Sequence, residues 1–327
     1  MSPSPGLAVG HATDAVMKSG VTVFLPDKPA VAAVHVAGGA PASREAAALS
    51  PENSVERVDA VVLCGGSAFG LAAADGAMDW LAAKGRGLLV GTVRVPIVPA
   101  AALFDLINGG AKPADLASAY RALGRAACEA AGGDVAIGSV GAGTGATTAD
   151  LKGGFGAAET VLPDGSRVTA FVAVNAVGRI TLGTTPHFRA APFERDGEFG
   201  GLGFPEKLPP DAGEAVTKIP REPGANTTLA VVVTDLMLSR AEAKRLAIAA
   251  HDGIALAIYP AHTPFDGDTV YALSTGARGF SGGVRGLGPL CAAAAETLAR
   301  AIARGVHAAT PAPNDRFPTW RERYAKG

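Results

Sequence analysis

The fold of this protein follows from one stretch of its sequence, Pro223-Gly224-Ala225-Asn226-Thr227-Thr228-Leu229-Ala230-Val231-Val232-Val233-Thr234-Asp235. A glycine-containing turn leads directly into a β-branched run, which favours a buried strand. A cut between Asn226 and Thr227 would leave Thr227 with a free α-amine beside its own hydroxyl. That arrangement places a nucleophilic hydroxyl beside a base, the α-amine, whose pKa is about 7.7–8.0. From these residues alone, the simpler interpretation is a turn into a strand that uses threonine for its β-propensity.

The composition indicates a large buried core and excludes several classes of partner. Of the 327 residues, 48% are hydrophobic and 18% are charged, and the net charge is −1. Because no basic stripe is present, we expect no nucleic-acid partner. The apolar runs are shorter than a membrane span, and residues 1–14 lack a signal-peptide pattern, so we expect no membrane association and a cytoplasmic location. Cys64, Cys128 and Cys291 are isolated and are expected to be reduced and buried.

Hydrophobic periodicity predicts strands and helices in alternation. The predicted strands are 7–9, 21–25, 30–36, 60–63, 160–162, 167–174, 227–233, 255–259 and 270–274, and the predicted helices are 71–84, 116–131, 239–252 and 289–304. Asp164-Gly165 predicts the turn of a hairpin. Ser239 and Glu242 have the spacing of a capping box, and Gly305 is suited to the C′ position of the last helix.

Two glycine-rich loops carry possible binding functions. Residues 65–70 join a strand to a helix, so their amides could receive an anion, or their glycines could allow close packing. Gly141, Gly143 and Ala146 have the spacing of a dinucleotide motif, but the glycine-rich sequence after them does not suit the helix of a Rossmann unit. We therefore expect no nucleotide cofactor. Lys152 follows this loop and suits a pocket of backbone donors with one cation, although a lone lysine is by default a surface residue.

Two further features accompany the opening stretch. Asp266 and Asp268 are two residues apart, which places both carboxylates on one side of an extended chain, where they could hold an ammonium, a hydroxyl or a hard cation. An Asp-Gly-Asp turn is the alternative. Residues 184–224 form a long segment without periodicity, and such a loop is typically functional or flexible. It ends at the proposed cut.

Several motifs together resemble the P1 peptidase family of L-aminopeptidase/D-esterases and β-aminopeptidases. In the first half these are Gly6-Leu7-Ala8-Val9-Gly10-His11-Ala12-Thr13-Asp14, Gly39-Ala40-Pro41 and Gly65-Gly66-Ser67-Ala68-Phe69-Gly70. The second half is similar to the nylon-oligomer (6-aminohexanoate oligomer) endohydrolases of that family, in residues 224–228, His262-Thr263 and Asp266-Gly267-Asp268-Thr269. The resemblance covers nearly the whole chain, and the combination of motifs is specific.

This resemblance implies an α/β fold, a four-layer αββα sandwich of N-terminal-nucleophile type shared with ornithine acetyltransferase. It implies one domain over residues 1–327, made as a precursor that cuts itself between Asn226 and Thr227. The products, chains 1–226 and 227–327, would stay associated. A homo-oligomer, a tetramer or larger, is expected, with no metal and no organic cofactor.

The resemblance also implies roles for individual residues. Thr227 would be the nucleophile and, through its new amine, the base, while Asp266 and Asp268 would orient it. Lys152 would assist the nucleophile electrostatically and Asn175 would donate to the oxyanion. The residues expected in the substrate or oxyanion pocket are Phe104, Gly141, Gly143 and Thr144. Phe104 falls where relatives have a tyrosine, so one hydroxyl donor is expected to be absent here.

The expected activity is hydrolysis of small peptides, β-peptides or linear ω-amino-acid oligomers through an acyl-enzyme. An acyltransferase of ornithine acetyltransferase type would use the same acyl-enzyme with an amine acceptor. From a different class, an unprocessed, non-catalytic relative would keep the fold without turnover.

Overall fold

The computed structural model of the protein describes residues 4–218 and 226–325. The predicted turn at Pro223-Gly224-Ala225 lies outside these residues. The strands are β1 (Leu7–Asp14), β2 (Ser19–Pro26), β3 (Ala30–Val36), β4 (Ala42–Arg44), β5 (Arg57–Val58), β6 (Val61–Cys64), β7 (Leu88–Val90), β8 (Val93–Val95), β9 (Ala100–Ala102), β10 (Gly154–Val161), β11 (Arg167–Asn175), β12 (Thr227–Leu236) and β13 (Thr269–Arg278). The α-helices are α1 (Ala73–Ala83), α2 (Leu116–Glu129), α3 (Arg240–Ala257), α4 (Gly283–His307) and α5 (Trp320–Tyr324).

Two main sheets form the centre of the molecule. The first has the strand order β1-β2-β6-β9-β4, and the second has the order β10-β11-β12-β13-β3-β5. Strands β7 and β8 form a separate hairpin. None of the helices in the described part of the chain is both long and apolar enough to cross a bilayer.

Three hydrophobic clusters separate four layers. One lies between helices α1 and α2 and the first sheet, a second lies between the two sheets, and a third lies between the second sheet and helices α3 and α4. Each sheet is therefore apolar on both faces, which explains why its strands read as continuous hydrophobic runs. The αββα sandwich predicted from the sequence is confirmed.

Strand β12 occupies the middle of the second sheet. It pairs antiparallel with β11 and parallel with β13, and all ten of its residues are buried. Leu229, Val231 and Val233 belong to the cluster between the sheets, whereas Ala230 and Val232 belong to the cluster beneath the helices. Because side chains alternate along a strand, Thr227 at the start of β12 faces the space between the sheets.

The structure corrects the prediction at helices α3 and α4 and at strand β10. Residues 255–257 continue helix α3 instead of starting a strand. Residues 154–156, which lie outside the predicted strands, belong to strand β10, and α4 continues through Gly305. The reason is close packing, since a Cβ on Gly156 would lie 1.9 Å from the carbonyl oxygen of Ala301 on α4. These glycines therefore allow a helix to approach a strand, and Gly305 is not a cap.

The glycine loop at 65–70 provides an amide donor and also allows close packing. The Gly66 amide donates to Oδ1 of Asp105 at 2.8 Å, so the acceptor at this loop is a carboxyl group of the protein itself. A Cβ on Gly66 would lie 2.2 Å from the ring of Tyr120. Oδ2 of Asp105 accepts a hydrogen bond from Ser19, which also bonds to the Tyr120 hydroxyl. Asp105 follows Phe104 in the chain, so this network fixes the backbone next to Phe104.

Candidate active site

Thr227 and Asn226 are held tightly at the start of β12. Both are buried, with 3% and 2% exposure. The Thr227 hydroxyl donates to the carbonyl oxygen of Asn226, and the Gly267 amide donates to the same oxygen at 3.1 Å. A hydroxyl nucleophile, the preceding carbonyl and a backbone donor to that carbonyl therefore lie together. These are the parts that attack on the Asn226 carbonyl requires.

Asn175 lies directly opposite Thr227 on the neighbouring strand. The two residues are register partners in the β11–β12 ladder, and such partners have Cβ atoms about 4.5–5.5 Å apart. Nδ2 of Asn175 donates to the carbonyl oxygen of Phe104 at 2.9 Å. Its Oδ1 accepts from the Thr147 amide at 3.0 Å and from Nζ of Lys218 at 2.9 Å. The side-chain amide is thus fixed in orientation beside the threonine.

The two aspartates hold the loop that approaches Thr227 from β13. Oδ1 of Asp268 accepts from the Thr228 amide at 2.8 Å. Oδ2 of Asp266 accepts from the amide and the hydroxyl of Thr263, each at 2.8 Å. Oδ1 of Asp266 is buried, and no described group bonds to it. Burial and the neighbouring Asp268 raise the pKa of Asp266 above its ordinary value.

Backbone hydrogen bonds from the segment after β3 hold this loop in place. The Ala40 amide donates to the carbonyl oxygen of Asp266 at 2.7 Å, and the Ala37 amide donates to that of Asp268 at 3.0 Å. A Cβ on Gly38 would lie 2.4 Å from the carbonyl oxygen of Asp266. Glycine at position 38 therefore lets the segment after β3 press against the Asp266–Asp268 turn.

Lys152 is buried and is linked to Thr227 indirectly, through Thr147 and Asn175. It forms an isolated bridge with Thr147, the residue whose amide bonds to Asn175. Its ammonium, however, bonds to Oδ2 of Asp315 at 2.6 Å. Lys18 bonds to Oδ1 of the same carboxylate at 2.8 Å. Lys152 is thus a buried, paired lysine, and Asp315 is a partner that the sequence did not indicate.

The glycine loop expected in the pocket is largely occupied by its own hydrogen bonds. The Gly141 amide donates to the Thr13 hydroxyl at 2.8 Å, and the Gly143 amide donates to the Val140 carbonyl at 2.9 Å. The Thr144 amide and hydroxyl both donate to the Gly141 carbonyl. The structure does not bring these donors to Thr227. Instead, Thr147, further along the loop, reaches Asn175.

Phe104 reaches the site through its backbone. Phe104 follows β9 of the first sheet, and its carbonyl oxygen accepts a hydrogen bond from Asn175 at the end of β11 in the second sheet. Its side chain lines a cavity of about 10 Å³ together with Thr147, Lys218 and Arg316. A similar cavity of about 10 Å³ adjoins Lys152. Each has room for about one water molecule.

Besides Asp315, the sequence did not indicate Lys218, and it placed His262 in a motif without a role. Nδ1 of His262 lies 2.8 Å from Oδ2 of Asp268, and the His262 amide donates to the same oxygen. Burial would lower the pKa of His262, but the hydrogen bond to Asp268 and its charge raise it overall. The His262 ring also lies 4.9 Å from that of His251, between centroids. The six-residue spacing between His262 and Asp268 was the available signal.

An open cleft lies on the far side of the 315–317 segment. Its volume is about 380 Å³, and its lining includes Asp315, Arg316 and Phe317, which also line the cavity at Lys152. This volume falls in the range of small-molecule sites. Only the 315–317 segment is shared between this cleft and the cavity at Lys152 among the described lining residues.

Comparison with known proteins identifies the family of this chain. The family model described as "Peptidase family S58" matches residues 4–316. This chain belongs to peptidase family S58. The resemblance to aminopeptidases inferred from the sequence is thereby confirmed. As a member of the family, the chain is a hydrolase that acts on amide bonds.

The S58 chain is similar to several known proteins. It is 43% identical to an uncharacterized aminopeptidase of Mycobacterium tuberculosis, over 99% of this chain and 93% of the relative. It is 30% identical to a 6-aminohexanoate-oligomer endohydrolase of Kocuria sp., over 83% of this chain and 73% of the relative. Among solved structures it matches the L-aminopeptidase D-Ala-esterase/amidase of Ochrobactrum anthropi, described as a variant of the Ntn hydrolase fold. The TM-score is 0.67 with 22% identity, and the match covers 97% of this chain and 90% of that one. This last likeness bears on the fold alone.

Proposed function

We propose that this protein is a self-processing N-terminal-threonine amide hydrolase. The precursor cuts itself between Asn226 and Thr227, and the mature enzyme hydrolyses small peptides, β-peptides or ω-amino-acid oligomers through an acyl-enzyme. The observation that carries the proposal is the hydrogen bond from the Thr227 hydroxyl to the Asn226 carbonyl oxygen. That oxygen also accepts from the Gly267 amide, which would stabilise negative charge developing on it.

Self-cleavage on this geometry is an acyl shift followed by hydrolysis. Oγ1 of Thr227 bonds to the carbonyl carbon of Asn226, the Asn226–Thr227 C–N bond breaks, and the hydroxyl proton ends on the departing Thr227 nitrogen. Water then adds to the resulting ester and the C–Oγ1 bond breaks. The products are a carboxylate at Asn226 and a free α-amine at Thr227, the base that later turnovers need.

The mature enzyme would use the same residues for substrate amides. Thr227 attacks the amide carbon, its α-amine passes the proton to the leaving amine, and water releases the acyl group. Oδ1 of Asp266, which is buried with no bond from the described residues, suits the new ammonium. Asp268 holds the start of β12 through Thr228, and Asn175 serves the oxyanion. Lys152 would contribute positive charge, which it shares with its partner Asp315.

The substrate class rests on relatives and on space. The Kocuria relative is named for 6-aminohexanoate oligomers, and the more similar mycobacterial relative is named an aminopeptidase. In the intact chain, the cavities beside Thr147 hold about one water each. Among the described residues, the cavities that Thr147 lines are therefore smaller than a substrate, and the cleft at residues 315–317 suits an extended small oligoamide.

Association of chains is part of the proposal. Strand β12 begins the 227–327 chain but pairs along its length with β11 of the 1–226 chain, so the two chains would stay together after the cut. Self-association of whole molecules is supported by the hairpin of β7 and β8. Its side chains Leu88, Leu89, Val90 and Val93 are each more than half exposed, and exposed apolar patches of this kind mark interfaces.

A substrate panel on the processed enzyme tests this function. β-Alanyl amides, α-aminoacyl amides and 6-aminohexanoate oligomers are compared, with and without an added amine acceptor. We expect hydrolysis of at least one class by the wild type and none by Thr227→Ala, while Thr234→Val, in the same strand, behaves as wild type. Acyl transfer faster than hydrolysis would favour an acyltransferase, and no turnover on any class would refute the enzymatic proposal.

A further inference from the structure

Lys218 is a buried lysine whose side chain ends at the candidate active site. It is 8% exposed, and its amide donates to the Val177 carbonyl oxygen at 2.9 Å, which ties its backbone to the end of β11. Its Nζ lies 2.9 Å from Oδ1 of Asn175 and 3.4 Å from the Asn175 carbonyl oxygen. Because Asn175 and Thr227 are cross-strand partners, this ammonium is one side chain away from the nucleophile.

The hydrogen bond from Lys218 helps to set the orientation of the Asn175 side-chain amide. Lys218 and the Thr147 amide can only donate, and both donate to Oδ1. A flipped amide would direct its NH₂ group at these two donors, which is unfavourable. Nδ2 therefore points to the other side, where one of its two hydrogens binds the Phe104 carbonyl oxygen. Nδ2 is thus the end of the side chain that would donate to an oxyanion at Thr227.

We propose that Lys218 is a positioning residue for self-cleavage, whose ammonium fixes the Asn175 amide with Nδ2 as the donor beside Thr227. This inference rests on the proposed self-processing function, because it concerns the donor that the cleavage uses. It adds a residue that neither the family model nor the sequence motifs assign.

The surroundings of Lys218 make its charge sensitive to pH. Burial lowers the pKa of Lys218 to about 7, opposed by the negative charge of Asp266 and assisted by the positive charge of Arg316. Among the described residues, Asp105 is the third charged group that acts on it, and its negative charge favours the ammonium. Below pH 7 the bond to Asn175 is charge-assisted, and such bonds are roughly twice as strong as neutral ones. Above pH 7 the amine loses its charge and the Asn175 amide is held less firmly.

The test follows self-cleavage of the full-length chain against pH. The chain is made by cell-free synthesis, synthesis is stopped, and aliquots are moved to buffers from about pH 5.5 to 9, a range that spans the titration of a perturbed lysine. The cleaved fraction is measured by denaturing electrophoresis over time. The variants are Lys218→Met and Lys218→Arg. The matched control is Lys244→Met, since Lys244 also bonds to a backbone carbonyl and has a pKa lowered first by burial.

We expect wild-type cleavage to slow as pH rises through about 7. Lys218→Met should cleave on the order of 10- to 100-fold more slowly and lose this alkaline decline, because a misoriented oxyanion donor costs rate. Lys218→Arg should cleave and move the decline to higher pH, since arginine stays charged. Lys244→Met should match the wild type.

The failures are distinguishable. A wild type that never cleaves, or a Thr227→Ala chain that does, overturns the self-processing function itself. A cleaving wild type together with Lys218→Met of unchanged rate and pH profile overturns the role of Lys218 alone. If Lys218→Met does not fold, an unmoved alkaline decline in Lys218→Arg overturns that role equally.

Discussion

Asn175 and Thr227 are paired residues of two adjacent strands, one at the end of β11 and the other at the start of β12. Both lie on the face of the second sheet that looks toward the first, by the alternation of Phe171, Ala173, Leu229 and Val231 in the cluster between the sheets. The site is therefore at the rim of the inter-sheet core. Its rigidity comes from the ladder that pairs the two residues.

Replacement of Asn175 with aspartate tests the donor role of the amide. The variant keeps the shape and the acceptor that Lys218 and Thr147 use, but a carboxylate cannot donate to an oxyanion or to the Phe104 carbonyl oxygen. We expect self-cleavage and amide hydrolysis to slow by on the order of 10²–10³-fold, as for loss of one oxyanion donor. Rates are measured alongside Asn53→Asp, a change at an exposed asparagine. A wild-type rate in Asn175→Asp would remove the residue from the mechanism.

Gly267→Ala tests the space around the nucleophile. A Cβ at this position would lie 2.7 Å from Oγ1 and 3.1 Å from Cγ2 of Thr227. The Thr227 side chain would have to turn away from the Asn226 carbonyl, so we expect self-cleavage to fall at least 10-fold, about 1.4 kcal/mol in barrier height. The melting temperature should change little by comparison. Gly279→Ala, at an open position, serves as control, and unimpaired cleavage in Gly267→Ala would contradict the geometry.

His262→Gln should reveal the stability supplied by the pair with Asp268. Because Asp268 raises the pKa of His262 against the effect of burial, its favourable contribution is complete below the unfolded value near 6.5 and is lost as pH rises through the folded value. We expect His262→Gln to be less stable than wild type by on the order of 2 kcal/mol at acidic pH, with a smaller gap at alkaline pH. Thermal unfolding at several pH values measures this.

The matched control for that series is His187→Gln, a change at a half-buried histidine whose Nδ1 bonds to the Gly203 carbonyl oxygen and not to a carboxylate. It should leave the wild-type pH dependence intact. A stability gap for His262→Gln that stays constant, or widens as pH rises, would contradict the assigned ion pair.

Asp315→Ala should destabilise the protein by leaving two buried lysines without their shared carboxylate. Lys18 and Lys152 both bond to Asp315, and their side chains are only 9% and 5% exposed. Breaking a buried pair on one side costs on the order of 3–5 kcal/mol. Urea unfolding at neutral pH measures the loss, with Asp252→Ala on the exposed face of α3 as control. A loss no greater than in that control would show that the two ammonium groups are adequately solvated.

Most of the architecture could be predicted from the sequence, because the capping and turn motifs agree with the pattern of hydrophobic residues. Ser239 and Glu242 form the expected capping box, and the hairpin turn at Asp164-Gly165 joins β10 to β11. The errors arose where glycine serves packing instead of turning the chain. Gly156 lies outside the predicted strands, and Gly305 was predicted to follow the last helix as its C′ residue. In the structure, both glycines let the backbones of β10 and α4 come into contact.

The candidate site was foreseeable only where its residues are close in sequence or shared with the family motifs. The turn with Asp266 and Asp268 has this character. Asp315 lies 163 residues from its partner Lys152, and Lys218 sits in a segment without periodicity 43 residues from Asn175. No local pattern reports such contacts, because they are created by the packing of the two sheets and the segments that cross between them.

The mass of the purified protein under denaturing conditions tests the central claim most directly. If the chain processes itself at the Asn226–Thr227 bond, mass spectrometry will show two fragments, residues 1–226 and 227–327, with Thr227 as the new N-terminus. The Thr227→Ala protein will show one intact chain. An intact wild-type chain that hydrolyses amides at full rate would contradict the account.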